Sequence, residues 1–158
     1  MRRKSLIPLA ALCAAALAVM AAVLVYTAPS RRFTPPPFDP AAQDGVPAVP
    51  ASTGYGELNA SFFRFSASGA LTVSHGGVDL WLTNPSGSPV WLKARILDET
   101  GALLGESGLL RPGQYVRTVA LDAVPPETVP ITVAVMAYEP DTYYSAGVVR
   151  LQTQLIVT

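Results

Sequence analysis

The segment VDLWLTNPSGSPVWLKARI, residues 78–96, carries the clearest fold signal in this 158-residue chain. Two runs in which apolar and polar residues alternate flank the cluster Asn84–Ser88, which is rich in turn-forming residues. Such alternation is typical of a half-buried β-strand. In an antiparallel pair, the register that sets Leu82 opposite Val90 matches apolar with apolar throughout. The segment therefore predicts a β-hairpin with one aliphatic face.

The same register places Trp81 opposite Trp91 and Asp79 opposite Lys93 on the other face of the hairpin. An aromatic pair and an opposite-charge pair would each contribute roughly 0.2–1 kcal/mol. If that face is solvated, Trp81 and Trp91 form an exposed aromatic patch and a candidate binding surface. If it is covered, both tryptophans are core residues, which is the more common environment of Trp.

Similar alternating runs, separated by turn clusters, occur on both sides of the hairpin. They predict further strands at residues 61–66, 70–75, 102–107, 114–121, 131–138 and 148–157. Seven or eight short strands in about 100 residues are typical of an immunoglobulin-like β-sandwich. We therefore expect an all-β domain over residues 57–158.

The loop Glu139–Gly147 joins the last two predicted strands and contains Tyr143 and Tyr144. Loops at the ends of a β-sandwich often carry contact residues, and Tyr is favoured among them. Tyr143 and Tyr144 are thus a second candidate binding surface. The alternative is that both rings pack back on the edge of the sandwich.

The composition argues against several classes of function. Residues 57–158 contain six basic and nine acidic side chains and no basic stripe, which argues against nucleic-acid binding. His75-Gly76-Gly77 resembles an oxyanion-hole segment of esterases, but a G-x-S-x-G nucleophile motif is absent. Ser74 and His75 are neighbours on a predicted strand, so their side chains should point to opposite faces. We expect no enzyme, no metal site and no cofactor.

The N-terminus predicts a membrane anchor. Residues 6–26 are an unbroken apolar run that would make a helix of about 31 Å, close to the thickness of a bilayer core. The basic residues Arg2, Arg3 and Lys4 should keep residues 1–5 in the cytoplasm and send the rest of the chain outside. The alternative is a signal peptide cleaved after Ala21.

Two further features concern the chain around this anchor. Alanines recur every four residues (Ala10, Ala14, Ala18 and Ala22), and small residues at that spacing would allow two membrane helices to form a homodimer. Residues 27–56 hold seven of the 15 prolines and little apolar bulk, so they predict a disordered, Pro-rich stalk. The only cysteine, Cys13, lies in the apolar run, so the exported domain has no disulfide.

Several turn motifs carry a resemblance to a known class of protein. The chain is similar to immunoglobulin-like adhesion modules of bacterial surfaces, and closer to small uncharacterised membrane-anchored exported proteins of Gram-positive bacteria. The residues concerned are Leu82–Pro85, Ile96–Asp98, Ser107–Gly113, Val116, Val119 and Leu121. The resemblance implies an immunoglobulin-like fold and says little about activity.

Taken together, these features predict a single-pass protein of the cell membrane with a cytoplasmic N-terminus and an extracellular or periplasmic domain. We expect a non-enzymatic interaction or accessory module of the bacterial cell envelope, whose partner is an envelope protein or glycan. The alternative is a permanent structural subunit of an envelope or secretion assembly.

Overall fold

The computed structural model describes residues 33–157, and this part of the chain is all-β. The predicted membrane helix at residues 6–26 and its alanine face lie outside the described residues. Between residues 33 and 157, no helix is long and apolar enough to cross a membrane. The elements are β1 Gln43–Asp44, a 3₁₀ turn Ala51–Thr53, β2 Gly56–Asn59, β3 Arg64–Ala67, β4 Leu71–Ser74, β5 Gly77–Thr83, β6 Trp91–Leu97, β7 Leu103–Glu106, β8 Gln114–Ala120, β9 Val129–Tyr138 and β10 Ser145–Ile156.

The strands form one continuous hydrogen-bonded sheet in the order β1-β8-β5-β4-β10-β9-β6-β7, with β3 beside β5 and β2 beside β3. Strand β4 joins its two halves, because Val73 pairs with Val78 of β5 while Leu71 pairs in parallel with Leu155 of β10. We call β1, β8, β5, β3 and β2 the first half, and β10, β9, β6 and β7 the second half. Buried side chains of both halves belong to one apolar cluster, so the sheet curls around a single core.

The predicted aliphatic face of residues 78–96 is confirmed. Its side chains are all at most 5% exposed: Val78, Leu80, Leu82, Val90, Leu92, Ala94 and Ile96. Burying one such large side chain stabilises a fold by about 1.5–3 kcal/mol. The core of this domain, which has no disulfide, therefore rests on the alternation visible in the sequence.

The predicted hairpin between β5 and β6 is wrong. Strand β5 pairs with β8, with Val78 opposite Val119, and β6 pairs with β9, with Trp91 opposite Tyr138. Two strands that face each other across a core satisfy the same alternation as two hydrogen-bonded neighbours, because alternation specifies a buried face and not a partner. The expected pairs Trp81–Trp91 and Asp79–Lys93 therefore do not form.

Asn84 holds the segment that carries the chain from one half of the sheet to the other. Its side chain is fully buried, and its Nδ2 donates to the carbonyl oxygens of Val90 at 2.8 Å and Leu110 at 3.1 Å. Its backbone N–H donates to the carbonyl of Gln114 at 2.8 Å. Asn84 thus connects the end of β5 to the start of β6 and to the segment before β8.

Residues 35–55, which we call the N-terminal arm, lie against the β-domain. The sequence predicts a disordered stalk over residues 27–56, but the compact unit that contains the strands begins at Pro35. In the arm, Gln43 of β1 pairs with Tyr115 of β8. Proline favours an extended chain, and an extended chain is the conformation that can be added to a sheet edge.

Hydrogen bonds fix the arm at two further places. Asp39 Oδ2 accepts from the backbone N–H of Gly108 at 2.8 Å. The carbonyl of Thr53 accepts from the N–H groups of Gly69 and Ala70, at 3.0 and 2.9 Å. The arm therefore forms part of the folded domain over residues 35–55.

Candidate functional site

Four side chains form an aromatic cluster at the start of β6. The ring of Trp91 lies edge-to-face with the rings of Phe38, at 4.9 Å, and Tyr143, at 5.2 Å. The guanidinium of Arg111 lies 3.6 Å from the centre of the Phe38 ring. Each aromatic contact contributes about 0.5–1.5 kcal/mol beyond area burial. We call Phe38, Trp91, Arg111 and Tyr143 the Trp91 cluster.

Different parts of the chain position the members of this cluster. Trp91 points outward because Leu92, the next residue of β6, points into the core. Phe38 is held by the arm, where Leu109 donates its N–H to Pro37 and accepts from Asp39, at 2.9 and 3.0 Å. The cluster therefore exists only when the arm is docked.

The turn after β9 positions Tyr143. The backbone N–H of Tyr143 donates to the carbonyl of Glu139 at 3.0 Å, and Tyr143 has a positive φ of 58°. Tyr144 follows at the base of the same turn, where its carbonyl accepts from the N–H of Glu139 at 2.8 Å, and it is 72% exposed. The structure thus brings the predicted residues Trp91 and Tyr143 into contact and leaves Tyr144 accessible beside them.

Trp81 lies elsewhere, on the first half of the sheet. It stacks on Tyr115 at 6.4 Å with an angle of 22° between the rings, and the Arg117 guanidinium lies 5.1 Å from the ring centre. Arg117 also pairs with Asp79 at 3.1 Å. Trp81 has a φ of 52° at a bulge between β5 and β8, a conformation that is uncommon for a bulky residue. Trp81 therefore belongs to a separate site.

Sequence reasoning missed Phe38 and Arg111. Phe38 follows the triplet Pro35–Pro37 in the segment predicted to be a stalk. Arg111 begins a segment that the sequence predicts only as a turn before a strand. An aromatic residue directly after three prolines was the available signal, since a stalk has no need of a large apolar side chain.

Next to the Trp91 cluster, the outer face of the second half carries a charged group. Lys93 is only 7% exposed, and its Nζ donates to Glu106 Oε1 at 2.7 Å. Arg95 Nε lies 3.4 Å from the other oxygen of the same carboxylate. Burial raises the pKa of the Tyr138 hydroxyl above its usual 10.0, and the Arg95 charge opposes that shift. Glu106 therefore neutralises the buried cation beside the cluster.

The prediction that Ser74 and His75 point apart is wrong. Ser74 Oγ lies 2.8 Å from His75 Nδ1, because His75 has a φ of 50° in the β4–β5 turn and leaves the strand alternation. Ser74 is half-buried and His75 is exposed, and no carboxylate of residues 33–157 is hydrogen-bonded to His75. Over the same residues, no group of three or more His, Cys, Asp or Glu could hold a metal ion.

Comparison of the chain with protein-family models, curated proteins and solved structures gives no match.

Proposed function

We propose that this chain is a membrane-tethered, extracytoplasmic interaction or accessory module of the bacterial cell envelope, without enzymatic activity. In this proposal the domain is an immunoglobulin-like β-sandwich, in line with the resemblance of its turn motifs. The placement of β5 and β6 in facing halves of the sheet, and the pairing of each with a strand further along the chain, support that architecture.

The observation that carries the proposal is the Trp91 cluster. Trp, Tyr and Arg are the residue types most enriched among the energetically dominant contacts of protein interfaces. Here Trp91, Tyr143 and Arg111 lie together on an outer face, with the exposed Tyr144 beside them. Trp91 is held in place by its neighbours, so a partner would meet a preorganised surface at a low entropic cost.

The test is a pull-down with the full chain from detergent-solubilised native membranes after mild crosslinking. The variant Trp91→Ala removes the centre of the cluster, and Trp81→Ala removes the same kind of side chain from the other half of the sheet. We expect Trp91→Ala to reduce recovery of the envelope partner at least tenfold and Trp81→Ala to leave it within twofold. Equal recovery by both folded variants would contradict the proposal, and a parallel glycan array identifies a sugar ligand.

A permanent structural subunit is the second candidate. It is favoured by the large exposed apolar side chain of Phe62, which is 78% exposed in the turn between β2 and β3. A permanent subunit would keep its partner at constant stoichiometry through high-salt and dilution washes, whereas a transient module would lose it.

A further inference from the structure

Strand β10 has an open edge. It pairs with β9 from Ser145 to Leu155, but on its other side only Leu155 and Ile156 pair, with β4. Within residues 33–157, no strand pairs with the outer side of residues 148–154. Alternate N–H and C=O groups along this stretch point away from β9, and such a row is a template for an added strand.

An apolar cavity lies beside this edge. Its volume is about 260 Å³, and it opens between β10 and β2. Leu151 of β10 points toward it but is only half-buried, although Leu155 on the same face is fully buried. Other apolar side chains that line it are Leu58, Leu71, Leu80 and Val133. We call the edge at residues 148–154 and this cavity the β10 window.

The window exists because the chain changes sides between β3 and β4. Strand β3 pairs with β5 in the first half, and β4 pairs with β10 only from Leu71 onward. The intervening residues 68–70 are held by the arm through the Thr53 carbonyl. Among the strands of residues 33–157, none therefore occupies the position beside residues 148–154.

A buried hydroxyl in the window lacks a partner. Ser68 lines the cavity and is 5% exposed, and its Oγ makes no hydrogen bond. Mutational data on proteins indicate that leaving a buried hydroxyl without a hydrogen bond costs about 1–3 kcal/mol. A polar group entering the cavity would remove that cost.

The ends of the window limit what can enter it. At one end the ring of Phe63 lies against Gly147, 3.4 Å from the position that a side chain there would take. At the other end β4 already occupies the pairing position beside Leu155. The open stretch is about 23 Å long at about 3.3 Å per residue. A short extended peptide matches the length of this open stretch.

The charge of Arg150 indicates which residues the peptide should contain. Arg150 lies at the middle of the window on the outer face, and within residues 33–157 it has no carboxylate in ion-pair contact. A carboxylate opposite it on an added strand would form a favourable cross-strand pair. The matching sequence alternates apolar residues, facing the cavity, with polar residues that include Asp or Glu.

We propose that the β10 window binds an extended acidic and apolar peptide segment of a partner protein, which adds to β10 as a strand. Its backbone would pair with residues 148–154, its apolar side chains would fill the cavity beside Leu151, and its carboxylate would face Arg150. This site is separate from the Trp91 cluster and does not depend on the function proposed for it.

The test uses the purified full chain in mild detergent and a phage-displayed library of random nine-residue peptides. We expect enriched peptides to alternate apolar and polar residues and to contain Asp or Glu. In amide hydrogen exchange, a synthetic copy of an enriched peptide should slow exchange in residues 148–154 at least tenfold. Absence of enrichment, or protection elsewhere in the domain, would overturn the proposal.

Three variants locate the site. Leu151→Lys places a charge in the cavity and should weaken peptide binding at least tenfold, whereas Leu103→Lys, at a partly exposed position of β7 outside the window, should change it less than twofold. Arg150→Glu leaves the cavity intact and should shift the enriched peptides from acidic to basic.

Trp91→Ala should leave peptide binding unchanged, which separates this result from the test of the Trp91 cluster. Binding that is insensitive to both Leu151→Lys and Arg150→Glu would place the peptide elsewhere.

Discussion

At the scale of single residues, Asn84 has the largest effect on the path of the chain. Its side-chain amide donates to a carbonyl in each of two separate segments, at Val90 and Leu110. Each carbonyl also has a second donor, the Ser88 hydroxyl for Val90 and the Leu92 N–H for Leu110. Buried carbonyls are almost always paired, because an unpaired one loses its hydrogen bond to water without replacement. A small polar residue thus performs a task that the apolar core cannot perform.

Asn84→Ala should lower the free energy of unfolding by roughly 1–3 kcal/mol, since two buried hydrogen bonds that join separate segments are lost. The loss is moderated because Asn84 Oδ1 is itself buried without a partner. Urea denaturation measures the change. Ser86→Ala, at an exposed position of the same segment, is the control and should stay within about 0.5 kcal/mol of the parent chain. Equal stability of the two variants would contradict the role given to Asn84.

Asp98, in the turn between β6 and β7, should titrate abnormally. The Thr100 hydroxyl and then the Ala102 N–H lower the pKa of its carboxyl below the usual 3.8. Because the folded-state pKa is the lower one, this contribution to stability is present above about pH 3.8 and is lost as the pH falls through the folded-state pKa.

Thr100→Val removes only the hydroxyl donor, so the pKa of Asp98 should rise toward 3.8. Thr100→Ser keeps the hydroxyl and should keep the low pKa. Carbon-detected NMR of the Asp98 carboxyl over pH 2–6 measures both. If the two variants titrate alike, the hydroxyl is not the main cause.

At the scale of elements, the N-terminal arm is held at Gly108 by close contact of two backbones. A Cβ at Gly108 would lie 2.4 Å from the Cα of Asp39, whereas a Cβ at Gly87 would meet nothing within 4 Å. Only glycine therefore lets the arm approach at this point.

Gly108→Ala should displace the arm and with it Phe38. We expect amide exchange of Asp39 and Leu109 to accelerate at least tenfold, because the bonds from the Asp39 N–H to Leu109 and from the Leu109 N–H to Pro37 are lost. Gly87→Ala is the matched control and should leave these rates unchanged. Unchanged exchange in Gly108→Ala would show that the arm is not held by this contact.

The sequence predicts where the strands lie better than it predicts which strands pair. The strands predicted at residues 114–121 and 131–138 correspond to β8 and β9, because a half-buried strand needs local alternation. The partners of β5 and β6 could not be predicted in this way. Two strands that face each other across the core show the same apolar–polar alternation as two strands that are hydrogen-bonded side by side. Likewise the sequence identifies Trp91 and Tyr143 as candidate binding residues and leaves open that they pack against the domain, but their direct contact joins distant parts of the chain and has no local pattern.

At the scale of the whole molecule, the arm extends the domain well beyond the predicted boundary at residue 57. A chain shortened to residues 57–158 should have a lower free energy of unfolding than one beginning at Phe33, because it loses the hydrogen bonds of the arm to β8, to Gly108 and to residues 69–70. Thermal and urea unfolding of the two chains measure the difference.

The shortened chain should also report the loss of Phe38 from the Trp91 cluster. In a Trp81→Phe background, the fluorescence of Trp91 should shift to longer wavelength as its ring becomes more hydrated. Equal stability and equal emission of the two chains would show that the arm contributes nothing to the domain.

The separation of β5 and β6 from their partners also bears on how the chain is made. Strands β5 and β6 each have one partner nearby in the sequence, β4 and β7, but their other partners come later. Val119 and Tyr138 follow Val78 and Trp91 by 41 and 47 residues, so at about 5–20 residues per second, roughly 2–9 seconds of synthesis separate β5 from β8 and β6 from β9. Throughout that interval, the matched alternation of residues 78–96 makes a non-native β5–β6 hairpin available. We expect this non-native pairing to compete with the native one until β8 and β9 have been synthesised.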